Sequence, residues 1–112
     1  MSTTLKVPVR QIVKLLVTGE YERVAQITGG KRLDAASIEG AIREYGRTLI
    51  MPPDSAFDEM DVVAIENART PCWSVRMSFW TAEENRSDLS IELRLTEAEG
   101  RITIELDDIH VL

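Results

Sequence analysis

The apolar positions of this chain change period near its middle. Val9, Ile12, Val13 and Leu16 recur at helical spacing, with Pro8 as a first-turn residue and Gly19 as a stop, which predicts a helix over residues 8–18. A second amphipathic stretch, 20–28, carries Tyr21, Val24, Ala25 and Thr28 on one face and closes at Gly29-Gly30. The third, 34–45, has the fullest local signals: Asp34 as N-cap, Leu33 and Ile38 as a hydrophobic staple, Ala41, Ile42 and Tyr45 along the same stripe, and Gly46 behind.

The stretch "RTLIMPPDSAFDEMD" ends this regime. Pro52-Pro53 opposes a helix running through it and favours an extended crossing, so residues 47–60 read as a linker with room for a short strand at Thr48–Met51. From residue 61 the period is two. Strands are predicted over 61–68, 72–81, 87–97 and 101–111. Their apolar faces are Trp73, Val75, Met77 and Phe79, then Leu89, Ile91, Leu93 and Leu95, then Ile102, Ile104 and Leu106. Polar turns, "AEENRSD" and "EAEGR", join the last three, so the strands form an antiparallel meander. One stripe per helix and one face per strand give an α+β fold, with three N-terminal helices packed on one face of a four-stranded sheet. The opposite face should be wet, presenting Ser74, Arg76, Ser78, Ser90, Glu92, Arg94, Thr103 and Glu105.

Length adds that 112 residues suit one domain, 1–112, with a core that needs no staples. The first residues hold no apolar run of signal-peptide length, and no stretch approaches a membrane span, which predicts no membrane partner. A lone cysteine, Cys72, has no internal disulfide partner and suits a reducing cytoplasm. Lacking a cysteine–histidine motif, it reads as a half-buried structural residue.

Charge divides the chain as sharply as hydropathy does. Residues 1–50 hold eight basic and five acidic groups, giving +3, whereas residues 51–112 hold five basic and fourteen acidic, giving −9. A total of −6 argues against nucleic acid, whose phosphates are met by Lys and Arg. It favours a basic protein partner for the sheet half.

Three places could carry chemistry. In "ELDDIHVL", Asp108 and His110 could form an acid–base pair, and with Asp107 they could offer metal ligands, although one histidine without cysteine is a thin set, and no metal or other cofactor is expected. Strand phase bears on this. Uninterrupted alternation from Ile102, Ile104 and Leu106 would bury Asp108 and His110, at several kcal/mol unless they were paired. It would also leave Ile109 and Val111 outside, forgoing roughly 1.5–3 kcal/mol each. One β-bulge near Asp107 removes both penalties by returning Ile109 and Val111 to the core and His110 to the polar face.

Trp80 falls on the wet face beside Arg76 and Arg94, the make-up of an interaction hot spot or of a Trp lying against the neighbouring hairpin. In "RSD", Arg86 and Asp88 could clamp a polar ligand or fix the turn by pairing with each other or with backbone.

The stretches "VPVRQIVKLLVTGEYERV", "CWSVRMSFWTAEENRSDLSIEL" and "DDIHVL" resemble an uncharacterised family of small bacterial proteins, a domain of unknown function, which implies a fold and no chemistry. The order of a helix, "TGEYERV", further helices and a meander is also similar to the SnoaL-like cone fold of the cystatin-like group, which implies a small enzyme, ligand binder or interaction domain. The chain departs from that pattern at "TGGKR", too short for the strand those proteins carry there.

Two functions follow as expectations. One is a non-enzymatic interaction module that takes a basic protein through its acidic sheet half and Trp80, an immunity protein against a basic toxin being one concrete version. The other is a small-ligand or enzyme pocket between helices and sheet, with Asp108 and His110 as its acid–base pair. It requires His110 to point inward. The edge strand 61–68 leaves monomer and sheet-paired homodimer both open.

Overall fold

The computed structural model describes residues 3–112, with side chains from Leu5 onward; Met1 and Ser2, which the sequence reading includes in the domain, lie outside them. Helices α1 (Thr3–Val17), α2 (Tyr21–Thr28) and α3 (Ala35–Tyr45) precede β1 (Leu49–Ile50), a single helical turn α4 (Asp54–Asp58), and strands β2 (Asp61–Ala64), β3 (Cys72–Thr81), β4 (Asn85–Ala98) and β5 (Arg101–Val111). The fold is α+β, as expected: helices first, then an antiparallel sheet.

Helix α1 begins five residues before the expected start at Pro8, which lies inside it. Leu5 supplies the reason. It extends the stripe of Val9, Ile12, Val13 and Leu16 by one more turn, and all five side chains are buried. At the start of α3 the Asp34 carboxylate accepts the Ser37 backbone N–H at 2.8 Å, the cap the sequence indicates. That hydrogen bond holds the carboxyl below its ordinary value.

The expected linker does more than cross. Leu49 and Ile50 pair with Thr81 and Trp80 on the outer side of β3, and β2 pairs with the same side lower down, through Asp61–Arg76 to Ala64–Trp73. Between them α4 drives Phe57 fully into the core, with Ala56 and Met60 buried beside it. The two prolines forbid a long helix, yet Pro53 in extended conformation stands just ahead of a first turn opened by Asp54, a permitted start for a short one. Arg10 of α1 lies 4.6 Å above the Phe57 ring and meets Asp54 at 2.7 Å.

Strands β3, β4 and β5 form the body of the sheet. The β4–β5 connection is a two-residue hairpin, Glu99-Gly100, both with positive φ, which matches the right-handed twist of the strands it joins. The apolar faces predicted for β3 and β4 point at the helices: Val75, Met77, Phe79, Leu89, Ile91, Leu93 and Leu95 are all buried. Strand β2 is shorter than expected, ending at Ala64 before Asn67 turns the chain at φ 63°.

The charge division is partly consumed inside the fold. Lys6–Asp58, Arg10–Asp54, Arg32–Asp107 and Arg47–Glu84 each join a base of the N-terminal half to an acid of the second half. These are exposed or half-exposed pairs, worth at most about 1 kcal/mol apiece, so they orient the two layers more than they hold them.

Candidate functional site

The face of the sheet turned away from the helices is polar, and among the described residues no secondary-structure element packs across its centre. Alternation places Arg76 of β3, Glu92 and Arg94 of β4 and Glu105 of β5 on it. The last strand reaches it through a bulge. Leu93 pairs with Leu106 but Glu92 pairs with Asp108, so Asp107 is left without a partner and the phase flips. Ile109 then goes into the core, while Asp108 and His110 turn outward, as the sequence argument required. Val111 departs from that argument. Its phase is inward, yet it is 56% exposed, beside a shallow groove with Ala41, Glu44 and Tyr45 where the cover from α3 ends.

His110 sits between two carboxylates. Its Nδ1 is 2.8 Å from Asp108 Oδ2 and its Nε2 is 3.0 Å from Glu92 Oε2, while Asp108 Oδ1 accepts the Ile109 backbone N–H at 2.9 Å. Each ring nitrogen thus lies within hydrogen-bonding distance of a carboxylate. A general base must have a nitrogen within reach of a substrate proton, and here both are engaged by neighbouring side chains. Glu92, Asp108 and His110 could each turn one atom toward a divalent ion, since those atoms lie within 4.8 Å of one another, but the ion would have to take the histidine from its carboxylates. Asp107, at the bulge, bridges layers instead: Arg94 Nη2 is 3.8 Å from one of its oxygens and Arg32 Nε is 3.6 Å from the other.

A second irregularity shapes the opposite end of this face. Ser78 pairs with Ser90 and Trp80 pairs with Arg86, so Phe79 alone faces Ser87, Asp88 and Leu89. Two extra residues preserve the alternation, and Trp80 and Arg86 stay on the same side. They border a hollow of about 70 Å³ shared with Arg76, Ser78, Ser90 and Leu112, with Glu59 and Asp61 on its rim. Trp80 is half-buried against the core, Arg76 and Arg86 are exposed, and Arg76 Nε lies 3.9 Å from Asp61 Oδ2. Ser90, expected to be wet, is fully buried, and its hydroxyl makes no hydrogen bond. An orphaned hydroxyl of this kind costs about 1–3 kcal/mol.

Of the residues singled out in the sequence, Trp80, Arg76 and Arg86 meet at this hollow, Asp108 and His110 meet at the bulge end, and Arg94 lies between, against Asp107. Asp88 joins neither group. Its backbone carbonyl accepts the Leu112 N–H at 3.0 Å, and among the described residues its side chain forms no ion pair with Arg86. The residue between them fixes the hairpin: Ser87 donates to Tyr45 Oη at 2.7 Å and accepts the Leu89 N–H at 3.0 Å, and Tyr45 donates to Glu84 at 2.7 Å. A Tyr on a buried helical stripe needs a partner for its hydroxyl, and that was the available signal. Glu83, beside it, accepts the Thr48 backbone N–H at 2.9 Å, and this bond holds its carboxyl below the ordinary value. Cys72 is half-buried, its Sγ 3.4 Å from Thr96 Oγ1.

The chain belongs to the family described as Domain of unknown function (DUF7668), whose model matches residues 13–112. No curated protein matches the chain, and no solved structure does. Among the described residues no helix is long and apolar enough to cross a membrane.

Proposed function

We propose that this domain is a non-enzymatic protein-binding module, that its working surface is the uncovered face of the sheet, and that it takes a basic protein partner. The observation that carries this reading is the make-up of that face. Four carboxylates, Asp61, Glu92, Glu105 and Asp108, are interleaved there with four arginines, Arg76, Arg86, Arg94 and, at the β4–β5 hairpin, Arg101, with half-buried Trp80 at one end. Val63 and Leu112, 63% and 65% exposed, add apolar contact area on the same side. An aromatic anchor, scattered aliphatics and charges of both signs are what a protein interface uses, and the net charge of −9 over residues 51–112 is what favours a basic partner.

Against an acid–base enzyme stands the arrangement of His110, which faces away from the helices and gives both nitrogens to carboxylates. The space between helices and sheet is filled by the side chains of the core. Capture of a basic toxin by an immunity-type partner is the concrete form that suits these charges, and a reducing cytoplasm suits lone Cys72.

The test is affinity capture on the immobilised chain from an extract of its own source cells. A basic protein should bind at low salt and be released at about 1 M salt, where the screening length falls to about 3 Å. Retention of an acidic or neutral protein, insensitive to salt, would overturn the reading.

A further inference from the structure

The hollow at the Trp80 end of the open face has the features of a ligand site in its own right. Ser90 lines it, fully buried, with its hydroxyl closed off from solvent and without a hydrogen-bond partner, an arrangement that folding alone disfavours. Ser78 stands opposite Ser90 across the ladder, and Arg86 stands opposite Trp80. Among the described residues Arg86 has no carboxylate within ion-pair distance, whereas Arg76, on the other side, is engaged by Asp61 at 3.9 Å.

We propose that this hollow binds a small monocarboxylate. The Arg86 guanidinium and the Ser90 hydroxyl supply the donors, and the Trp80 ring supplies a wall for the carbon behind the carboxyl group. Three observations choose this ligand class. The volume of about 70 Å³ admits a group of only a few heavy atoms. A planar fork of donors matches a carboxylate's two oxygens. Glu59 and Asp61 on the rim oppose a second negative charge, which disfavours phosphate and sulfate. Trp80 and Leu112 are shared with the protein-binding reading, but acetate titration of the chain alone reads the hollow without a partner, so the two can fail separately.

Amide and indole N–H shifts of the whole chain, followed as sodium acetate replaces sodium chloride at constant ionic strength, test this directly. The expected result is saturable shifts at Trp80, Arg86 and Ser90, with sodium phosphate giving none. Arg86→Gln, at an exposed position, should keep its spectrum and lose at least tenfold in acetate affinity. Ser90→Ala should melt at the same temperature as the parent or higher, having lost an unsatisfied hydroxyl, while binding acetate at least threefold more weakly. N-acetylated dialanine distinguishes sources: tighter binding than acetate at the same residues would mean that a peptide C-terminus delivers the carboxylate, and equal or weaker binding that a free small acid does. Linear shifts without saturation, an equal response to phosphate, or unchanged acetate affinity in Arg86→Gln would overturn the proposal.

Discussion

The two faces of one sheet obey different rules in this protein. On the helix side, strict alternation fills the core with Val75, Met77, Phe79, Ile91, Leu93 and Leu95, and every one is buried. On the far side the informative residues sit where alternation fails: Asp108 and His110 beside the Asp107 bulge, Trp80 and Arg86 beside the longer irregularity at Ser87–Leu89. Burial rewards regularity on one face, and interruptions of the ladder aim side chains on the other. Core-forming and solvent-facing side chains thereby sit only one position apart.

That separation can be broken from the helix side first. Phe57→Ala, which empties a fully buried site under Arg10, should cost about 3–5 kcal/mol in urea unfolding, the largest effect of any single truncation considered. Deleting Asp107 attacks the boundary between the faces. It should leave a regular ladder, with Leu106 opposite Leu93, Asp108 opposite Glu92, Ile109 still inward and His110 still outward, so the loss should stay near the roughly 1 kcal/mol of the Arg94 and Arg32 contacts, and Asp107→Asn, which keeps the residue count, should likewise cost under about 1 kcal/mol. Ile109→Ala and Val111→Ala sharpen the same point. The first should lose about 2–5 kcal/mol and the second under about 0.5 kcal/mol, although both side chains share one phase.

Smaller effects belong to exposed groups. Asp34 and Glu83 have carboxyls held below their ordinary values of 3.8 and 4.5 by backbone hydrogen bonds. Each therefore contributes stability that is present above its ordinary value and is lost as pH falls through the lower folded value. Urea midpoints measured from pH 6 downward should drop in the parent below about pH 4, and Asp34→Asn with Glu83→Gln should flatten that acid limb. An acid limb as steep in the double variant as in the parent would place the effect on other carboxylates.

Much of this was legible in residue order. The α3 cap, the strand faces and the Asp107 bulge follow from spacing and from the cost of burying a charge, so local rules sufficed. What escaped depended on distant parts of the chain. Helix α4 hid behind Pro52-Pro53 because its worth lies in Phe57 reaching a core made by other elements. Leu5 likewise extends α1 past a proline only because a core awaits it. Ser87 was passed over for its charged neighbours, since its partner Tyr45 lies on α3. Ser90 was assigned to water by alternation, yet it is enclosed beside Trp80, Arg86 and Leu112, residues brought there from three separate stretches of chain.

The claim that the open sheet face is the working surface is tested most directly by titration calorimetry on the captured partner with two matched triple variants. Glu92→Gln, Glu105→Gln and Asp108→Asn together remove three negative charges from the sheet face, and Glu22→Gln, Glu39→Gln and Glu44→Gln remove three from the helices. The sheet-face variant should bind at least tenfold more weakly, a change of about 1.4 kcal/mol, and the helix variant should stay near parental affinity. A loss confined to the helix variant would contradict the account.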